Sequence, residues 1–127
     1  MKKLLKALCP RLNRGEFVFC VIKDLAKLDH QEILFTFREA EAITVVLKKE
    51  AADLYGLDYN YIASWITLTV NSSLEAVGLT AAFSTALANA GISCNVVAAF
   101  YHDHIFVNEK DAERAIKVLE DLSLRQN

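Results

Sequence analysis

Short runs of β-branched and aromatic residues, separated by charged stretches, dominate the first half of the 127-residue chain. Phe17–Ile22 is a continuous run of strand-forming residues and predicts a buried strand. Ile33, Phe35 and Phe37 recur at every second position, which predicts a strand with two distinct faces. In chain order, the predicted elements are a helix over residues 2–8, strands over 17–22, 33–38 and 43–47, and a helix over 48–55 followed by Gly56.

The second half has a clearer periodicity. Within residues 62–70, Ile66 and Leu68 lie on one face of a predicted strand, and Trp65 and Thr67 lie on the other. The remaining predicted elements are a helix over 78–90, strands over 94–101 and 105–107 with a turn near His102-Asp103, and a last helix capped by Asn108.

The order strand-helix-strand-strand-helix in the second half is typical of a ferredoxin-like unit. A weak internal repeat relates the two halves, because residues 17–22 align with 96–101, and Ile43 and Val45 align with Ile105 and Val107. The sequence therefore predicts an α+β protein of two halves packed as one compact body. These halves are residues 1–61, which lack an opening strand, and residues 62–127.

Composition and charge narrow the class of protein. Hydrophobic residues make up 54% of the chain and the net charge is −2, which excludes intrinsic disorder. Basic residues are dispersed except for a small N-terminal cluster, so the chain offers no overall field for nucleic acid. Three cysteines without a C-x-x-C pair favour a cytoplasmic protein, and no apolar run has membrane-spanning length. No motif implies a cofactor.

The four glycines help to locate a candidate site. Gly15 falls in a predicted turn, and Gly56 and Gly91 follow predicted helices, where glycine tolerates a positive φ. Gly78 instead stands where a helix begins, a position that allows a ligand or another backbone to approach closely. Because a helix N-terminus presents free N–H groups, it suits a carboxylate or a phosphate. Close packing of the helix against the sheet is the alternative explanation.

Four stretches of the second half resemble an ACT domain. They are Trp65 to Val70, Glu75 to Phe83, Leu87 to Ser93 with its Leu-Ala-x-x-Gly-Ile pattern, and Asp103 to Val107. The chain as a whole resembles small stand-alone bacterial ACT-domain proteins, which are similar to CASTOR-type amino-acid sensors in pairing two ACT units. The resemblance implies regulatory binding of a small molecule, with an amino acid favoured, and no catalytic activity.

The resemblance also implies a binding site near the first loop-to-helix junction and the later hairpin. Backbone groups around Gly78 would hold a carboxylate, Glu75 would face an amino group or a basic side chain, and Asp103 matches an acidic ligand contact. This sequence has Val77 where the family has proline, and Glu75 where it has aspartate, so the ligand's identity does not transfer. The implied ligand-binding residues are Asn71, Glu75, Val77, Gly78, Leu79, Asn95 and Asp103.

Two other functions remain open from the sequence. Many ACT domains bind nothing and only associate, so the chain could be a ligand-free dimerisation module. His102 and His104 would share one face of a continued strand, which leaves a metal site or a small hydrolase using Cys94 and His102 as a third option. The expected partners are a small-molecule ligand, a second copy in a homodimer and a regulated partner protein, without nucleic acid or membrane.

Overall fold

The computed structural model describes residues 8–69 and 77–124. Its strands are β1 (Pro10–Leu12), β2 (Phe17–Ile22), β3 (Ile33–Arg38), β4 (Ile43–Lys48), β5 (Ile62–Leu68), β6 (Asn95–Ala98) and β7 (Asp103–Asn108). Its α-helices are α1 (Lys49–Leu54), α2 (Leu79–Asn89) and α3 (Ala112–Leu124), and single 3₁₀ turns span Leu25–Lys27, His30–Glu32 and Glu109–Asp111. The helix predicted over residues 2–8 lies outside the described residues, apart from Leu8.

One compact unit comprises Gly15–Ala63. Its antiparallel strands follow the order β3-β4-β2, and the first two residues of β5 pair with the beginning of β2. Period-two alternation in β2 and β4 sends one set of side chains towards α1, where they form a buried core. That core consists of Val18, Cys20, Leu28, Val45, Leu47, Ala51 and Ala52.

The other compact unit combines the chain up to Arg14 with the chain from Ser64 onward. Here β1 pairs with β5 in an antiparallel register in which Arg11 faces Thr67, and the strand order continues through β7 to β6. Both helices, α2 and α3, pack their apolar stripes on one side of these strands. The core there consists of Leu8, Ile66, Leu68, Leu79, Phe83, Leu87, Ile92, Ile105, Val107, Ala115 and Leu119.

The predicted α+β class is confirmed, as is the strand-helix-strand-strand-helix order of the second half. One predicted strand, residues 94–101, is too long. The strand β6 ends at Ala98, because Ala99 N–H donates to the carbonyl of His102 at 3.0 Å and closes a turn. Phe100 and Tyr101 are exposed in this turn, 76% and 70% respectively. The turn therefore begins earlier than the apolar pattern indicated.

The predicted alignment of the two halves is wrong for the strand Phe17–Ile22. In its own unit β2 lies between β4 and β5, and β3 is the edge strand beside β4. In the other unit β5 lies next to β7, and β6 is the strand beyond β7. By pairing order, β2 therefore corresponds to β5, whereas the repeat aligned it with β6. The first half has its opening strand and carries two 3₁₀ turns where the second half carries α2.

Candidate functional site

The start of α2 has the backbone geometry that the sequence analysis anticipated. Gly78 adopts φ +95°, a left-handed conformation that strongly favours glycine, and no side chain of the described residues caps the helix there. Its carbonyl accepts from Ala82 N–H at 3.0 Å, which starts the helical ladder. Leu79 is buried in the core, whereas Val77 is 90% exposed. The first-turn N–H groups of a helix begun in this way can receive an anionic group.

The remaining predicted ligand contacts are not all near one another. Asn71 and Glu75 lie outside the described residues. Asn95 faces Phe106 across the β6·β7 pair, and Asp103 faces Ala98. Because successive side chains of a strand point to opposite faces, Asn95 and Asp103 lie on opposite faces of the sheet. The side-chain amide of Asn95 also donates to the Phe106 carbonyl at 3.2 Å.

Asp103 starts β7 on the same face as Ile105, which belongs to the core beneath the helices. Partial burial raises the pKa of its carboxyl above the ordinary value, and the neighbouring His104 opposes part of this rise. A carboxylate in this position gains from a cationic partner, as the predicted ligand contact requires.

Sequence reasoning missed a hydrogen-bonded network on the opposite face of β5 and β7. The Asn13 side-chain amide donates to Thr67 Oγ1 at 2.8 Å and to the Trp65 carbonyl at 3.2 Å. His104 Nδ1 accepts from Trp65 Nε1 at 3.0 Å and lies 3.1 Å from Thr67 Oγ1. Thr67 is 1% exposed, so the network connects β5 and β7 with the residue after β1 in a largely buried environment.

The donors around His104 define its protonation state. The indole Nε1 of Trp65 can only donate, so Nδ1 must accept and the imidazole proton lies on Nε2. The Thr67 hydroxyl, which already accepts from Asn13, directs its hydrogen to the same nitrogen, whose single lone pair it shares with the indole N–H. The pKa of His104 lies below its ordinary value, and burial is the largest cause. His102 and, to a smaller extent, Arg11 also lower this pKa, whereas the carboxylate of Asp103 raises it. His104 is therefore neutral around pH 7.

The geometry gives little support to a metal site or a cysteine nucleophile. The rings of His102 and His104 lie 6.4 Å apart, and His104 Nδ1 is occupied by hydrogen bonds. Among residues 8–69 and 77–124, no group of three or more His, Cys, Asp or Glu side chains is arranged to hold a metal ion. Burial raises the pKa of the Cys94 thiol to about 11, so it is protonated at neutral pH and weakly nucleophilic.

Within the described part of the chain, no helix combines the length and apolar character needed to cross a membrane. Cys9, Cys20 and Cys94 are all free thiols.

Comparisons with known proteins agree with this fold. ACT-domain family models match residues 1–64 and, separately, residues 61–121. A crystal structure from Vibrio cholerae, of a protein of unknown function described as a possible transport protein, is similar with a TM-score of 0.88. It shares 46% identity, and the match covers 96% of this chain and 94% of that chain.

The fold is also similar to the ligand-free regulatory subunit of aspartate kinase from Thermus thermophilus. The TM-score is 0.70 at 10% identity, covering 91% of this chain and 97% of that chain. At that identity the likeness concerns the fold. No curated protein matches the sequence. The two family matches and the Vibrio cholerae relative together show that this chain belongs to the ACT-domain family, with one ACT match in each half of its sequence.

Proposed function

We propose that this ACT protein is a regulatory protein that binds a small molecule, an amino acid, and catalyses no reaction. The observation that carries the proposal is the pair of ACT matches, over residues 1–64 and 61–121. The fold likeness to a regulatory subunit of aspartate kinase supports it. The three free cysteines are consistent with work in the cytoplasm, a reducing compartment.

The proposed ligand site is centred on the start of α2. Gly78 is left-handed and has no side chain of its own to cap the helix, so the first-turn N–H groups would receive an α-carboxylate. Leu79 anchors this turn in the core, and the exposed Val77 borders it. Glu75 remains the proposed partner of an amino group or a basic side chain of the ligand, and Asp103 remains the proposed acidic ligand contact. Asn71 remains a proposed hydrogen-bonding contact. Asn95 remains a proposed contact as well, but it lies on the face of the sheet opposite Asp103, so one small ligand would not touch both.

Ligand binding would act by differential affinity. A ligand that binds more tightly to one state of association shifts the population towards that state. Ligand binding would therefore change self-association of the chain or its binding to a regulated partner protein.

Thermal unfolding against a panel of the natural amino acids tests this function. A ligand at one hundred times its dissociation constant stabilises the folded state by about 2.7 kcal/mol, which raises Tm by several degrees. Gly78→Ala should remove the effect. Gly91→Ala is a matched control, because Gly91 also has a positive φ, +74°, but stands at the far end of the same helix. Its melting shift with ligand should equal that of the wild type.

Two results would contradict the proposal. If no amino acid shifts the melt at millimolar concentration, amino-acid binding is excluded. If Gly78→Ala and Gly91→Ala respond to a ligand equally, the site lies away from the start of α2.

A second function, self-association without a ligand, is favoured by one specific observation. Val21 and Phe37 are each 68% exposed, and both face Thr44, one from β2 and the other from β3. Three adjacent strands thus present two large apolar side chains in one row, which a second copy of the chain could cover in a homodimer.

A further inference from the structure

A groove of about 530 Å³ lies beside β2 in the unit Gly15–Ala63. It is lined by Phe19, Val21 and residues 56–60, the segment between α1 and β5. None of these residues belongs to the site proposed at the start of α2. The groove is therefore a separate candidate binding site.

One edge of β2 presents backbone N–H and C=O groups to this groove. Lys49 N–H donates to the Glu16 carbonyl at 2.9 Å, so this pair is hydrogen-bonded in the β2·β4 ladder. In an antiparallel pair, hydrogen-bonded residues alternate with residues whose N–H and C=O point the other way. Cys20 and Ile22 therefore bond to β4, whereas Val21 directs its N–H and C=O away from β4.

No strand covers that edge at Val21. β5 begins at Ile62, opposite Val18. Continuing this register would place Tyr59 opposite Val21, but residues 56–60 are not in strand conformation and instead form a wall of the groove. Among the described residues, no backbone group outside the β2·β4 ladder bonds to the N–H or C=O of Val21. The groove thus contains one unpartnered donor and acceptor pair, the arrangement of a single β-bridge.

The charge beside this edge is negative. Lys49 is engaged by Asp53 at 3.2 Å, and the Tyr59 hydroxyl donates to the same carboxylate at 2.6 Å. Asp58 lines the groove and forms no ion pair with a described residue. The groove therefore complements a cation.

We infer that the groove binds the free amino end of a short peptide or amino-acid amide with an apolar first residue. The α-ammonium group would meet Asp58, and the adjoining amide would pair with the N–H and C=O of Val21. The apolar side chain would lie against Phe19 and Val21. Because only one residue of β2 is available, the groove suits one peptide unit and not the addition of a long strand. This site is independent of the amino-acid site proposed above.

Titration of the full chain with L-leucinamide, followed by amide NMR, tests this inference. Before addition, the Val21 amide should exchange quickly with solvent while those of Cys20 and Ile22 are protected. Leucinamide should shift the Val21 resonance and slow its exchange. Asp58→Asn should weaken binding about fivefold, since an exposed charge pair contributes up to about 1 kcal/mol. Glu41 is an exposed carboxylate of the same unit outside the groove, so Glu41→Gln is the matched control and should leave the affinity for leucinamide unchanged.

Comparison of ligands shows whether the groove recognises the ammonium group and whether its ligand is a peptide or an amino-acid amide. N-acetyl-L-leucinamide lacks the ammonium group and should bind about as weakly to the wild type as leucinamide binds to Asp58→Asn. A leucyl dipeptide that binds more tightly than leucinamide identifies a peptide as the ligand, and equal binding identifies an amino-acid amide. The inference is overturned if millimolar leucinamide leaves the Val21 amide unchanged, or if that amide is already protected without ligand. It is also overturned if the Asp58 and Glu41 variants bind equally.

Discussion

Replacing Thr67 with valine removes one hydroxyl from the centre of the buried network and keeps the volume of the side chain nearly unchanged. The hydroxyl accepts from Asn13 and donates to His104 Nδ1, so two hydrogen bonds are lost together. Both partners keep one other bond, Asn13 to the Trp65 carbonyl and His104 to Trp65 Nε1. Neither is therefore left wholly unsatisfied.

The expected cost follows from this count. Each hydrogen bond contributes a net 0.5–1.5 kcal/mol to stability, roughly, and the added methyl group recovers part of the loss. Thr67→Val should therefore lower the free energy of unfolding by about 1–2 kcal/mol. For a chain of this size that corresponds to a fall in Tm of about 3–8 °C.

Urea unfolding at pH 7.5 measures the change, and Thr69→Val supplies the matched control. Thr69 stands two residues further on, and its hydroxyl donates to the Cys9 carbonyl at 2.8 Å in an exposed setting. Water can replace that bond, so the control should cost about 0.5 kcal/mol or less. If the two variants lose equal free energy of unfolding, the buried network does not contribute the stability assigned to it. An unchanged His104 pKa by NMR in Thr67→Val would refute the assigned hydroxyl donation, because its removal should let that pKa rise.

Two further predictions follow from the described side chains. Because the folded chain lowers the pKa of His104, the unfolded chain takes up its proton first, near pH 6.5. The free energy of unfolding should therefore fall as pH drops from about 6.5 towards the folded pKa, and urea melts between pH 8 and 5 that show no fall would contradict this. If the exposed face at Phe37 mediates self-association, Phe37→Ser should lower the mass measured by light scattering. The matched control Leu54→Ser, at a residue 85% exposed on α1, should not, and equal masses for both variants would exclude that face.

Local sequence signals predicted most of the elements but not their long-range pairing. The runs in β2, β3 and β4 are rich in β-branched and aromatic residues, so their existence and bounds could be predicted. The three-residue strand β1 could not, because Pro10 and Arg11 are weak strand signals and their partner Thr67 lies far along the chain. The turn at residues 99–102 lacks glycine and proline, so the apolar pattern predicts a strand that continues through it.

The candidate site shows the same division. Gly78 could be singled out because glycine is unusual where a helix begins, and its positive φ confirms the backbone requirement. The His104 network could not be predicted, since Asn13 and Thr67 are 54 positions apart and only strand pairing brings them together.

The groove depends on where β5 starts relative to β2. The start of β5 at Ile62 agrees with the predicted strand, since Gly56, Asp58 and Asn60 are residues that strands disfavour. The register that places Ile62 opposite Val18 is set by pairing, which the sequence does not show.

The division of the chain into two units has a consequence for synthesis. Gly15–Ala63 is continuous, so all of its residues leave the ribosomal exit tunnel before most of β5 does. β1 emerges earlier still, yet its partners Ile66 to Leu68 follow more than fifty residues later. The unit Gly15–Ala63 can fold during translation, whereas the other unit must wait to close a long loop. A ribosome stalled just far enough beyond Ala63 to bring that residue out of the exit tunnel should thus carry a folded Gly15–Ala63 unit and an unpaired β1.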